Sequence, residues 1–158
     1  MKMIVTCQPG KEKRVLADLL DALFPYDTSV KGDVKAPGRI IVETRLPPSS
    51  LRSILVKYPI RGLRSVKVIL SYYRNWEELL RNIAGLLERR GVFVKKISVN
   101  RVPGWRQENY YLLKKSLKKL FNKQNGSIIT IEEVEGKIAV EVILFRLTYD
   151  SFSHHAKI

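Results

Sequence analysis

Pro9-Gly10, Pro25, Pro37-Gly38, Pro47-Pro48 and Pro59 punctuate residues 1–60, and the apolar period switches between two and 3.6 from one segment to the next. This constrains the fold more than any other feature. A chain so interrupted can build only short strands and helices, in a set order. Residues 3–7, rich in Ile and Val, read as a buried strand. Residues 11–24 place Val15, Leu16, Leu19, Leu20, Leu23 and Phe24 along one helical stripe, which Pro25 ends. A weak strand is expected over 28–35 and a firm one over 39–44. Pro47-Pro48 opens a second helix with Leu51, Ile54 and Leu55 inward, closed by Pro59. Residues 65–72 form the next strand. The order is β-α-β-β-α-β, the split ferredoxin-like pattern.

A second unit follows. Asn75 is an N-cap with Glu78 three residues on, a capping-box spacing. Trp76, Leu79, Leu80, Ile83 and Leu87 give that helix its apolar face, and Gly91 stops it. A strand over 92–100, a loop over 101–106 and a helix over 110–123 come next, with Asn125-Gly126 ending the helix. Strands over 128–133 and 137–147 meet at the Val134-Glu135-Gly136 turn. The expected fold class is α+β: a ferredoxin-like domain over 1–74, an α/β domain over 75–151, and a loose tail over 152–158.

Charge separates the two halves. Residues 89–123 hold eleven basic side chains and one acid, Glu108, a net of +10 out of +14 for the whole chain. Charge gathered this way repels itself and is best compensated by a polyanion. Nucleic acid is the natural partner, since neutralising phosphates releases counterions. No run approaches the ~20 apolar residues of a membrane span. Cys7 is the one cysteine, which excludes an internal disulfide and multi-cysteine zinc motifs and fits a reducing cytoplasm.

The helix over 110–123 shows how the charge is displayed. Tyr110, Leu113, Leu117, Leu120 and Phe121 share one arc, and Lys114, Lys115, Lys118 and Lys119 fill another about 140° wide. Tyr111 projects from the middle of the lysine arc, as a base-stacking ring or as an ordinary exposed tyrosine. Solvated helix faces usually interleave Glu with Lys; this one has none. In the loop before it, Arg101 and Arg106 suit bidentate phosphate contacts, and Trp105 between them is a stacking platform or a core anchor. Lys95 and Lys96 are expected on opposite strand faces, so that one of them, Lys96, joins the site.

Catalytic candidates are poor. His154 and His155 fall in the expected tail. Pro9-Gly10-Lys11 lacks the P-loop spacing, and a solvated turn accounts for Glu132, Glu133 and Glu135. Cys7 reads as a buried thiol. No cofactor or metal is implied.

The order of these elements resembles the THUMP family, RNA-binding modules of tRNA-modifying systems. The similarity runs from about Asn75 to Asp150, through Lys96, Arg101, the 110–120 helix and Val140-Glu141-Val142. The opening Thr6-Cys7-Gln8-Pro9-Gly10-Lys11-Glu12 is similar to the start of the ferredoxin-like domain that precedes THUMP. The resemblance implies tRNA binding, near the acceptor end in many members. Ile158 leaves no room for a catalytic domain, so the expectation is a stand-alone member similar to the adaptor of tRNA cytidine acetylation. Such a chain would be no enzyme, and would present tRNA to a separate modifying enzyme. The alternative is a ribosome- or ribonucleoprotein-associated structural protein using the same face.

Overall fold

The computed structural model describes residues 1–146. The expected tail, with His154 and His155, lies outside the described residues. The elements are β1 (Lys2–Cys7), α1 (Glu12–Leu23), β2 (Lys31–Ala36), β3 (Arg39–Glu43), α2 (Pro48–Lys57), β4 (Leu63–Tyr73), α3 (Trp76–Arg89), β5 (Val94–Asn100), α4 (Gln107–Ser116), a 3₁₀ turn (Lys118–Leu120), β6 (Ser127–Val134) and β7 (Lys137–Arg146). Among the described residues the fold is mixed α+β, with four α-helices and a seven-stranded sheet ordered β2-β3-β1-β4-β7-β6-β5. Two compact units divide the described residues: Met1–Val68 with residues 144–146, and Ile69–Ile143.

The first unit is the antiparallel β-α-β-β-α-β arrangement. β1 lies between β3 and β4, and β2 pairs with β3. Met3, Val5, Ile40, Val42 and Val66 from the strands pack with Val15, Leu19, Leu23, Leu51 and Leu55 from the helices. Each such side chain contributes roughly 1.5–3 kcal/mol on full burial. Two Pro-Gly turns are tied to α1 through Glu12, whose carboxylate accepts the N–H groups of Gly10 at 3.0 Å and Gly38 at 2.6 Å. These bonds, the Gly10 one first, hold its pKa below the usual value. Asp27 fastens the loop after α1 to the end of β3. It accepts the hydroxyls of Ser29 at 2.5 Å and Thr44 at 2.7 Å, and the Arg45 N–H at 2.8 Å. Phe24, expected on the buried stripe, is 56% exposed at the helix end.

The second unit is built on β5-α4-β6, with β5 and β6 parallel and β7 antiparallel to β6. Its core joins Leu79, Ile83 and Leu87 of α3, Leu113 of α4, Leu117 and Leu120 beyond it, and Val94, Ile97, Ile129, Ile131 and Val140 of the strands. Asn75 caps α3 by accepting the Glu78 N–H at 2.9 Å. The return bond reaches one residue further back than a capping box, to the Arg74 N–H at 2.8 Å. Glu135 and Gly136, with φ 53° and 79°, form the two-residue β6-β7 turn. Glu132 departs from the expected solvated turn: it is 7% exposed within β6.

Candidate nucleic-acid interface

The basic helix is shorter than its periodicity suggests. α4 starts at Gln107 and stops at Ser116, and the chain then tightens into the 3₁₀ turn. Leu117, at φ −101° and ψ 5°, is the point where helical geometry ends. The buried Leu113, Leu117 and Leu120 still share one side, because both helical forms keep residues three and four apart close together. Phe121 does not join them: it is extended, 37% exposed and bridged to Val94. Lys114 and Lys115 therefore stand on α4, and Lys118 and Lys119 on the turn.

All eleven basic residues of 89–123 are exposed. Among the described residues, none of them is ion-paired to a carboxylate. Tyr111 is 69% exposed beside the lysines. Lys114 holds its ammonium 4.8 Å from the centre of the Tyr110 ring, and the Tyr110 hydroxyl donates to Ile97 O at 3.3 Å. The pair ties the charged helix to β5.

β5 is an edge strand and carries an irregularity that the sequence reading missed. Val94 pairs with Ser127 while Lys96 pairs with Ile128, so Lys95 is the extra residue of a bulge. Strict alternation fails there, and Lys95 and Lys96 are both exposed. The Asn125-Gly126 signal, read only as a helix stop, also marks the place where the returning chain presses on this bulge.

At the other end of β5, Arg101 takes a left-handed φ of 48°, uncommon for a residue with a side chain. Arg101 and Arg106 are exposed at the two ends of the loop. Trp105 is half-buried against the second unit's core, the placement of an anchor, with the rest of its surface open. Buried Asn109 reaches back to Gly104 O at 3.5 Å. The expected residues thus fall into three groups: Arg101, Trp105 and Arg106 in the loop; Tyr111, Lys114 and Lys115 on α4; Lys118 and Lys119 on the turn. Lys96 lies on the intervening strand.

Elsewhere, Cys7 is buried, and burial, with Glu12 adding to it, pushes its thiol pKa up. Among the described residues no three or more His, Cys, Asp or Glu gather as a metal site. No helix there is long and apolar enough to cross a membrane.

No family model and no curated protein matches the chain. Solved structures do share its fold. A predicted N6-adenine-specific DNA methylase from Listeria monocytogenes superposes with TM-score 0.60 at 10% identity, over 90% of this chain and 40% of that one. A possible methylase from Clostridium difficile gives TM-score 0.59 at 18% identity, over 90% and 40%. TrmN from Thermus thermophilus gives TM-score 0.54 at 15% identity, over 92% and 46%. The chain therefore spans less than half the length of each. These structures correct one expectation. The chain was expected to be no enzyme, yet its fold occurs within chains described as methylases. Similarity at these identities establishes the mixed α+β fold.

Proposed function

We propose that this chain binds RNA, tRNA in particular, on the exposed basic face of Ile69–Ile143 and presents it to an RNA-modifying catalytic domain. One observation carries the reading. Eleven cationic side chains stand exposed over a short stretch, with no carboxylate pairing them among the described residues. Surface cations that serve only solubility are commonly interleaved with acids. An unpaired array is compensated by phosphate.

Each group suits a part of that task. Lys96, Lys114, Lys115, Lys118 and Lys119 supply point charges for backbone phosphates. Arg101 and Arg106 add planar two-toothed contacts that fix where the backbone enters. Tyr111 and the open part of Trp105 offer ring surface beside them. Double-stranded RNA is read by shape and backbone rather than by sequence. The THUMP resemblance, the methylase descriptions of structures with this fold and the charge all favour a nucleic-acid modification setting.

Gel shifts with tRNA, with a ribosomal RNA fragment and with assembled ribosomes test the proposal. It expects tRNA to be held most tightly. Preference for assembled ribosomes would instead support a ribonucleoprotein component, and binding to none of the three would overturn the RNA reading.

A further inference from the structure

A second concentration of charge lies in the first unit. Residues 8–14, 35–39 and 61–65 hold seven basic side chains and one acid, Glu12, a net of +6. With the +10 of residues 89–123 this exceeds the +14 of the whole chain, so the rest of the sequence is net acidic. The three segments are far apart in sequence, and backbone bonds gather them at one end of β1. Cys7 N–H donates to Gly38 O at 2.9 Å, and Gln8 N–H to Gly62 O at 3.0 Å. A Cβ atom added to Gly62 would stand 3.8 Å from the Lys11 Cβ. Glu12, the one acid, spends its carboxylate on the Gly10 and Gly38 N–H groups and so ties two of the segments together.

Two bulges turn basic residues out at the same end. On β4, Leu63 pairs with Cys7 and Ser65 with Thr6, which leaves Arg64 as the extra residue. On β2, Ala36 pairs with Arg39 and Val34 with Ile40, which leaves Lys35. Bulges of this kind re-aim side chains and are over-represented beside functional sites. Burial and Glu12 raise the Cys7 thiol pKa while Arg64 opposes them, which sets the Arg64 charge beside this strand end. Lys11, Arg14, Arg61 and Arg64 are exposed, and among the described residues none of them is ion-paired to a carboxylate.

Like charges gathered from three segments repel one another and are compensated by a polyanion. None of these segments exposes a large apolar side chain that could enter a bilayer, which disfavours a membrane surface. Guanidinium groups match the geometry of phosphate oxygens, which favours a phosphate backbone. We infer that Lys11, Arg61 and Arg64 form a second phosphate-binding surface, on Met1–Val68, which takes the backbone of an RNA. It holds phosphates and not bases, because the three segments contain no aromatic side chain on which a base could stack. This rests on the RNA-binding reading above and adds a site to it.

The test uses the full chain as wild type, as Lys11→Ala/Arg61→Ala/Arg64→Ala, and as the charge-keeping Lys11→Arg/Arg61→Lys/Arg64→Lys. The probes are tRNA over a series of salt concentrations and vesicles of phosphatidylserine and phosphatidylcholine. The alanine variant should bind tRNA roughly tenfold more weakly, the loss of at least one charge-assisted contact. Its slope of log K against log salt should be shallower by at least about 0.7–0.9, the release of one phosphate. The charge-keeping variant should retain the wild-type slope. Urea unfolding shows that each variant keeps its fold; the three single alanine variants, read the same way, replace a triple variant that does not. Wild-type affinity and slope in the alanine variants overturn the second surface and leave the RNA reading standing. A charge-keeping variant whose slope falls as far as that of the alanine variant overturns it too, because the loss is then not one of charge. Vesicle binding lost while tRNA binding is unchanged assigns the cations to a membrane and overturns it as well. If the wild-type chain does not bind tRNA at all, the RNA reading fails with it, an outcome distinct from the others.

Discussion

Gly126 packs so closely on Lys95 that a Cβ atom added to it would overlap the Lys95 amide nitrogen. The same atom would overlap Asn122 O and stand 2.5 Å from the Val94 carbonyl carbon. All three neighbours are backbone, so no rotamer change relieves the contact. The β5 bulge and the 122–126 turn are thus coupled, with Gly126 N–H donating to Asn122 O at 2.9 Å and Asn122 Oδ1 accepting from Gln124 and Asn125. Gly126→Ala should destabilise the chain by roughly 2–3 kcal/mol, the upper part of the range for overpacking. Urea unfolding checks this; an unchanged midpoint would show that the bulge does not depend on the glycine.

Asp27 makes stability depend on acid. The Ser29 hydroxyl first, then the Thr44 hydroxyl and the Arg45 N–H, hold its carboxyl well below the usual range, against the opposing effect of burial. A group whose folded pKa is depressed stabilises above its unfolded pKa, about 3.9 for Asp, and that stability is lost as pH falls toward the folded value. The wild-type urea midpoint should therefore fall below about pH 4 by more than that of Asp27→Asn, which lacks the titration. Parallel pH profiles for the two proteins would contradict the role given to these bonds.

Much of the fold was legible because its signals are local. Pro25, Pro47-Pro48 and Gly91 punctuate the helices where expected, and Asn75 caps α3 as its spacing implies. What was not legible depends on pairing between distant segments. The exposure of Lys95 follows from a register shift against β6, which alternation within β5 cannot reveal. The shortening of α4 reflects the need to bring Asn122 back to Val94, so Phe121, apolar and correctly spaced for the core, ends on the surface. The charged face itself was legible, since lysines without interleaved acids are a property of composition. The expectation of a non-enzyme failed because the end of a chain says little about the proteins in which its fold occurs.

Reversing charge on α4 and the turn should separate binding from folding. Lys114, Lys115 and Lys118 are exposed, whereas Leu113 and Leu117 are fully buried. Lys114→Glu/Lys115→Glu/Lys118→Glu should abolish a tRNA gel shift and leave the circular dichroism spectrum unchanged. The lost Lys114–Tyr110 contact should cost about 0.5–1 kcal/mol of stability. Retained binding would move the site off this helix.

Arg101 pairs a strained backbone with a side chain proposed to contact RNA. At φ 48° glycine is more comfortable than arginine, so Arg101→Gly should leave stability unchanged or raise it by up to about 1 kcal/mol. The same change should weaken tRNA binding by about tenfold, in the range of one charge-assisted contact. Arg101→Lys should fall between, because lysine keeps the charge and loses the fork. Thermal melts beside a binding titration decide it; a glycine variant that binds like wild type removes Arg101 from the interface.

If RNA is held as proposed, its phosphates are captured by the unpaired cations of residues 89–123, and the salt dependence of tRNA affinity measures that capture. With about five phosphates engaged, log K should fall against log salt with a slope of roughly −3.5 to −4.5, from about 0.7–0.9 per phosphate. The Lys114→Glu/Lys115→Glu/Lys118→Glu variant should show a shallower slope wherever binding can still be measured. A wild-type slope near zero would contradict electrostatic capture by this face.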